Sequence, residues 1–168
     1  MDYFRDDMIR TFIEILAILI AVNGAPVLAA YYLGSRANQP VDGGWRLLDG
    51  RPLFGDAKTW RGLTAALFTS CVLSLLLGYG FVFGLVFGLL VMAGDLSSSF
   101  IKRRRGLASS DQSRGFDQLP ESFLPALYIT YYLGIAWWWS LLWAAIFMLL
   151  EILISLPLYR LHIRNRPY

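Results

Sequence analysis

Three long apolar stretches constrain the fold of this chain more than any other feature. Residues 11–33 contain one charged residue, Glu14; residues 62–94 contain none; residues 122–159 contain one, Glu151. A stretch of about 18 or more apolar residues with few charges predicts a membrane-spanning helix. The sequence therefore predicts an integral membrane protein and excludes a soluble domain, a disordered chain and a disulfide scaffold.

The lengths of these stretches predict the number of spans. As one helix, residues 122–159 would be about 57 Å long, well beyond a hydrocarbon core of about 30 Å, so this segment must turn back near residues 134–138. The turn Gly78-Tyr79-Gly80 divides the second stretch. We expect a single all-α membrane domain over residues 1–168, a compact bundle of about five transmembrane helices. The expected spans are 11–33, 62–77, 81–94, 121–133 and 139–159.

Basic residues predict the orientation of these spans. With the N-terminus outside, the two polar loops, 35–61 and 95–120, and the C-terminal tail lie in the cytoplasm. All but two of the 15 lysines and arginines then lie inside, as the positive-inside rule requires. Four spans would separate the basic tail from the basic loops. A cleaved signal peptide is the alternative for residues 1–30, but Asn23 and Pro26 interrupt its apolar core.

The first polar loop has the composition of a phosphate-binding segment. It contains Pro-Val-Asp-Gly-Gly at 40–44 and the run DGRPLFGDAKTWRG at 49–62. Glycines let a backbone approach an anion closely, and Lys58 and Arg61 supply positive charge. A helix that begins near Thr59 would direct its amides at the same anion. A solvated loop that follows the positive-inside rule explains this composition equally well.

The second polar segment begins where the third span ends. If the helix continues past Gly94, then Asp95, Ser98, Ser99 and Lys102 share one face. A carboxylate, two hydroxyls and an ammonium group on one stripe indicate a metal and phosphate site, because an acid directly after an apolar helix is costly without a role or partner. The basic run 102–105 alone is also typical of a topology signal or an anionic-lipid contact.

Other polar residues have two interpretations each. Asp117 and Glu121 are four residues apart and could face one site, or they could mark an ordinary helix start. Asn23, with Pro26, could open the first helix toward a cavity or form a packing kink. Glu151 is an intramembrane acid and hence a candidate functional residue, without a partner nearby in the sequence.

These motifs resemble the CDP-archaeol synthase family, small membrane cytidylyltransferases related to CDP-diacylglycerol synthases. The matching stretches are PVDGG at 40–44, DGRPLFGDAKTWRG at 49–62, GDLSSSFIKRRRG at 94–106 and DQLPES at 117–122. Asn23-Gly24-Ala25-Pro26 is similar to the Asn-x-x-Pro of the family's first span. One position departs: the family pattern Asp-Gln-x-Asp has Pro120 at its second acid, followed by Glu121.

The resemblance implies a CTP-dependent cytidylyltransferase of phospholipid biosynthesis, a transferase in the cell membrane with Mg²⁺ as cofactor. Its partners would be CTP, a lipid phosphate and membrane lipids, with no nucleic acid. The lipid is phosphatidic acid or an archaeal ether-lipid phosphate, and diphosphate is released. A phosphate monoester is largely dianionic at neutral pH, so it needs charge neutralisation and positioning rather than a general base.

The resemblance also assigns roles to residues. The catalytic residues would be Asp95, Lys58, Arg61 and Asp117, and the metal ligands Asp95, Asp117 and Glu121. Nucleotide and phosphate groups would be bound by Asn23, Asp42, Asp49, Asp56, Lys58, Thr59, Arg61, Ser98, Ser99, Lys102 and Arg103.

Two alternatives come from other protein classes. A CDP-alcohol phosphotransferase would continue Asp49-Gly50 with a pattern that this chain lacks. A non-enzymatic membrane scaffold or small transporter would leave both polar motifs unexplained.

Overall fold

The described part of the chain folds into five α-helices. The computed structural model describes residues 2–107 and 118–161. The helices are α1 (Asp2–Leu33), α2 (Trp60–Leu76), α3 (Phe81–Arg104), α4 (Gln118–Leu133) and α5 (Trp139–Arg160). The expected all-α, five-helix architecture is therefore confirmed. By length and composition, the segments Met8–Leu33 of α1 and Phe81–Arg104 of α3 could cross a membrane, while α2 and Trp139–Ser155 of α5 are shorter apolar helices.

Helices that are consecutive in the chain pack against one another. Each of α1 to α4 packs extensively on the next helix, whereas α1 and α5 meet over a short stretch. There the rings of Phe12 and Trp143 stack with their centroids 5.1 Å apart. Fully buried side chains such as Ile18, Phe87 and Phe147 form the shared core.

Glycine lets α2 and α3 approach closely. A Cβ on Gly84 would lie 2.7 Å from the carbonyl oxygen of Ser70, and one on Gly88 would lie 2.9 Å from the Ser70 Cβ. The Ser70 hydroxyl donates to the Gly84 carbonyl at 2.6 Å. Helix backbones pack this closely where small residues repeat every four positions. Gly80 directly precedes α3 and has a φ of 93°.

The third helix continues ten residues beyond the apolar segment that ends at Gly94. We expected residues 95–104 in the following loop, and they are helical. This extension buries Ser98, Ser99 and Arg103, each less than 5% exposed. The packing of these side chains stabilises helix in a stretch whose composition resembles a loop.

The first polar loop, residues 34–59, forms an ordered structure beside this extension. An isolated β-bridge joins Pro40 to Thr59, and another joins Arg46 to Pro52. In α1 the helix runs unbroken through Pro26, and the Asn23 side-chain amide donates to the Leu19 carbonyl at 2.9 Å. The first loop and the α3 extension thus lie together at one end of the bundle.

Candidate functional site

A cavity of about 450 Å³ lies at the end of the bundle that carries the first loop. Its walls come from α1, the first loop, the start of α2 and α3. The polar lining residues are Asn38, Asp56, Lys58, Thr59, Arg61 and Asp95. Five of these six belong to the first loop or the first turns of α2, so that loop forms most of the polar wall.

An ion pair between Lys58 and Asp95 joins the first loop to α3. The lysine Nζ donates to Asp95 Oδ1, and both side chains are largely buried, with exposed fractions of 24% and 20%. The two residues are 37 positions apart in the sequence. The fold thus brings together the two side chains that the motifs made the strongest candidates for phosphate and metal binding.

Glu121 adds a second carboxyl group to this pair. The residue is 9% exposed, its carboxyl group hydrogen-bonds to Asp95, and it interacts electrostatically with Lys58 and Glu151. Gly94 makes this approach possible, because a Cβ at this position would lie 2.7 Å from the Glu121 Cα and closer still to the Pro120 carbonyl. The site therefore combines groups from the first loop, α3 and α4.

The charge of this cluster suits a divalent cation. Asp95 and Glu121 place two carboxyl groups beside one lysine ammonium. Within residues 2–107 and 118–161, no three His, Cys, Asp or Glu side chains lie close enough to form a complete metal cage. Mg²⁺ is commonly held by only one or two carboxylates, with water and substrate phosphates completing its shell. The pair fits that pattern, and Asp117 lies outside the described residues.

Asp42 organises the first loop from within. Its Oδ2 accepts the backbone N–H groups of Phe54 at 2.8 Å and Gly55 at 3.0 Å, and its Oδ1 accepts that of Gly44 at 3.0 Å. Partial burial would raise the pKa of Asp42, but these three backbone hydrogen bonds outweigh it and hold the pKa below its usual value. The Asp42 carboxylate shapes the loop that carries Lys58.

The start of α2 is built as the sequence predicted. Thr59 is the N-cap, and its Oγ1 accepts the Gly62 backbone N–H at 3.2 Å, which satisfies one of the open amides of a helix start. Thr59 is 8% exposed and lies in the cavity wall. The Trp60 N–H donates to the Gln39 carbonyl at 3.0 Å. Arg61 and Gly62 of this first turn line the cavity, and the helix dipole favours an anion at this end.

Arg61 has a structural role that its position in the motif did not reveal. Its Nη1 donates to the carbonyls of Gly34 and Arg36, each at 2.8 Å, and its Nη2 donates to Asn38 Oδ1 at 3.1 Å. These contacts join the end of α1 to the start of α2. Arg61 borders the cavity, but its guanidinium is engaged by the protein.

A second clamp holds the far end of the first loop. Arg104 Nη1 lies 2.6 Å from both oxygens of Asp49, and its Nη2 donates to the Pro52 carbonyl at 2.5 Å. In return, the Arg51 guanidinium donates to the Arg104 carbonyl. The backbone N–H of Arg51 and the Arg104 guanidinium together lower the pKa of Asp49. Asp49 is therefore a loop anchor, and Asp56 is the exposed acid of this loop at the cavity.

The predicted polar face of α3 is formed. Asp95, Ser98, Ser99 and Lys102 are helical and follow one stripe. The Ser98 hydroxyl donates to the Asp95 carbonyl at 2.9 Å, while Lys102 is half-buried. Arg103, next to this stripe, is 4% exposed. Among the described residues that line the large cavity, Asp95 is the member of this stripe.

Asn23 lies apart from the large cavity. It lines a smaller cavity of about 80 Å³ between α1 and α5, together with Glu151 and Ser155. Glu151 interacts electrostatically with Glu121, so this cavity lies within reach of the carboxyl cluster. The sequence did not reveal this connection, because the two glutamates belong to different helices.

Three further residues matter that were not assigned to catalysis, metal binding or nucleotide binding. Gly94 sets the approach of α4, Arg104 anchors the loop, and Glu151 extends the acidic cluster. The Gly94-Asp95 pair and the basic run were visible in the sequence, but the contacts they make depend on residues far away in the chain.

Comparisons with known proteins find relatives of this chain. The family model described as CarS-like, CDP-archaeol synthase, matches residues 8–79. The CDP-archaeol synthase of Hyperthermus butylicus is 40% identical to this chain over 114 residues. The match covers 63% of this chain and 65% of that protein, which is slightly under two thirds of its length. The CDP-archaeol synthase of Aeropyrum pernix is 32% identical to this chain, and the match covers 100% of this chain and 97% of that protein.

A solved structure is also similar to this chain. It is described as an intramembrane enzyme for archaeal membrane lipids biosynthesis, and it is 28% identical in sequence with a TM-score of 0.59. The similarity covers 81% of this chain and 92% of that one. The expected membrane-embedded fold is therefore confirmed.

Proposed function

Because the chain belongs to the CDP-archaeol synthase family, we propose that it transfers a cytidylyl group from CTP to the phosphate of an archaeal ether lipid. The observation that carries the proposal is the meeting of Lys58, Asp95 and Glu121 beside a cavity of about 450 Å³. A cation and two carboxyl groups are the set that phosphoryl chemistry with a divalent metal requires.

The proposed reaction is an in-line displacement at phosphorus. An oxygen of the lipid phosphate forms a bond to the α-phosphorus of CTP, and the bond from that phosphorus to the α,β-bridging oxygen breaks. The electron pair leaves with diphosphate. Because the lipid phosphate is already largely dianionic at neutral pH, no side chain has to remove a proton. The protein must instead hold two anions together in line.

Several charged residues around the cavity have a proposed role in this reaction. Lys58 is the cation closest to the carboxyl pair, and we assign it to the triphosphate. Lys102 and Arg103 extend the positive charge along α3 toward the leaving diphosphate, and Asp56 faces the nucleotide. Asp95 and Glu121 would hold Mg²⁺, with Asp117 as a further ligand. The metal would neutralise phosphate charge in the transition state.

The proposed membrane orientation follows the charge distribution. We place the N-terminus outside and the first loop, with the cavity, on the cytoplasmic side. The five arginines and lysines of residues 35–61 support this orientation. It also places the site where CTP is present. Cysteine-labelling from either side of sealed vesicles, at an exposed loop residue such as Gln39, tests it.

A direct assay tests the reaction and identifies the lipid. Purified protein is incubated with labelled CTP, Mg²⁺ and either an unsaturated archaeal ether-lipid phosphate or phosphatidic acid. We expect CDP-lipid and an equal amount of diphosphate with the ether lipid, and loss of both products when a chelator removes Mg²⁺. Preference for phosphatidic acid would overturn the lipid assignment, and absence of CTP turnover with both lipids would overturn the reaction.

A further inference from the structure

A hairpin in the first loop presents large apolar side chains to its surroundings. The hairpin comprises residues 45–52 and is closed by the bridge between Arg46 and Pro52 and by a hydrogen bond from the Leu47 N–H to the Arg51 carbonyl at 3.0 Å. At its base Trp45 is 72% exposed, and at its turn Leu47 is 37% exposed and Leu48 is completely exposed. Exposed apolar clusters of this kind mark interaction surfaces.

The position of these side chains distinguishes them from the others. Elsewhere in residues 8–107 and 119–161, exposed large apolar side chains lie on the helices or directly beside helix ends. Exposed apolar side chains on the helices are expected of a membrane-embedded bundle. The three on the hairpin lie in a polar loop, where nothing about a membrane span requires them.

The hairpin is held in this position by α3. Arg104 binds Asp49 and the Pro52 carbonyl, and Arg51 binds the Arg104 carbonyl in return. The Arg104 guanidinium also lies 5.3 Å from the centre of the Phe100 ring. A hairpin held at its turn and along one strand by these contacts cannot fold its exposed apolar side chains back onto the bundle.

The length of α3 gives the depth of the hairpin in the bilayer. From Phe81 to Gly94 the helix is about 21 Å long, whereas the hydrocarbon core is about 30 Å thick and needs roughly 20 residues. Counted from Phe81, the core is crossed near Phe100. With Phe81 at one face of the core, Arg104 would lie about 6 Å farther on, within the headgroup layer, and the hairpin that it holds would lie at the same depth.

We propose that the hairpin 45–52 docks on the bilayer surface beside the bundle. Trp45, Leu47 and Leu48 would enter the interfacial layer, which tryptophan prefers, while Arg46 and Arg51 would lie among anionic lipid phosphates. A second copy of the chain is a less suitable partner for this hairpin. A symmetric contact would bring the arginines of the two hairpins together, and their like charges would repel one another. The proposal does not depend on the reaction proposed above.

Fluorescent labelling at the tip tests this proposal. Leu48→Cys carries an environment-sensitive label, since Leu48 makes no packing contact and the only other cysteine, Cys71, is buried. The unsubstituted protein controls for labelling at Cys71. The labelled chain is placed, one copy per disc, in nanodiscs of phosphatidylcholine with or without phosphatidylglycerol.

We expect a blue-shifted emission, at least twofold quenching by lipid-borne spin labels, and protection from aqueous iodide. Phosphatidylglycerol should strengthen each effect. Arg104→Gln in the labelled chain should reduce the lipid quenching, because the hairpin is released. Full access to iodide without lipid quenching would overturn the proposal. Protection that requires two copies per disc would overturn it in favour of a contact between chains.

Discussion

Gly94 of α3 packs directly against the backbone of Glu121 in α4, with no room for a side chain between them. A Cβ on Gly94 would lie 2.7 Å from the Glu121 Cα and even closer to the Pro120 carbonyl. This contact sets the distance between the two helices and so brings the Glu121 carboxyl group to Asp95. Gly94 therefore determines how Asp95 and Glu121 are placed relative to each other.

Gly94→Ala should therefore separate the two carboxyl groups. Overpacking of this kind typically costs about 1–3 kcal/mol, and we expect a lower Tm together with at least a tenfold loss of CDP-lipid formation. Gly24→Ala is the matched control, because nothing lies within 4 Å of a Cβ there. Equal activity of the two variants would show that the close approach is not needed for function.

Asp95→Asn should abolish CTP-dependent product formation and leave the protein folded in the membrane. The substitution preserves the size of the side chain but removes the charge that pairs with Lys58. Turnover is measured with labelled CTP, and folding by size-exclusion profile and Tm. Ser97→Ala, on an exposed position of the same helix, should behave like the unsubstituted protein. Near-normal turnover of Asp95→Asn would contradict the metal assignment.

Arg104→Lys should loosen the first loop without removing its charge. Lysine cannot bind both oxygens of Asp49 and the Pro52 carbonyl at once. We expect faster proteolysis within residues 45–52 and a three- to tenfold rise in KM for CTP, with a smaller change in kcat. Arg105→Lys, at the exposed C-cap of α3, is the comparison. An equal change in both variants would argue against the clamp.

Arg61→Lys should mainly affect stability. The guanidinium joins α1 to α2 through two carbonyls and the Asn38 side chain, and a lysine can replace only part of these contacts. Loss of such hydrogen bonds costs about 1–3 kcal/mol, which should lower Tm by several degrees. Thermal unfolding measures this effect. A large rise in KM for CTP at unchanged Tm would instead indicate direct phosphate binding by Arg61.

Asp42→Asn should destabilise the protein in a pH-dependent manner. The pKa of Asp42 is lowered in the folded state, so its stabilising effect is fully present above the unfolded-state pKa of about 3.9. That effect is lost as the pH falls through the folded-state pKa. The difference in Tm between the two proteins should be largest near neutral pH and disappear in acid. A difference that does not vary with pH would exclude the carboxylate as its source.

Features that depend on local sequence were predictable. The number of helices follows from the lengths of apolar segments, and the start of α2 near Thr59 follows from the apolar run that comes after the first loop. The shared face of Asp95, Ser98 and Ser99 follows from helical periodicity once the helix continues past Gly94. Each of these inferences needs only residues within a few turns of one another.

Features that depend on distant backbone atoms were not predictable. Arg61 was expected to bind phosphate, and Arg104 belongs to the basic run that was interpreted as a topology signal or a lipid contact. Each of them binds carbonyl groups of another segment. The sequence does not show where a carbonyl will point. The same reason explains why α3 continues through residues 95–104: the stabilising contacts come from the first loop, about 50 residues earlier.

The packing of each helix on its predecessor has a consequence for synthesis. Lys58 lies before α2 and Asp95 lies in α3, so their ion pair can form as soon as the third helix enters the membrane. Glu121 arrives later, with α4. The nascent chain thus never has to insert Asp95 without a counter-ion, and the acidic cluster is completed only when a compensating cation is already present.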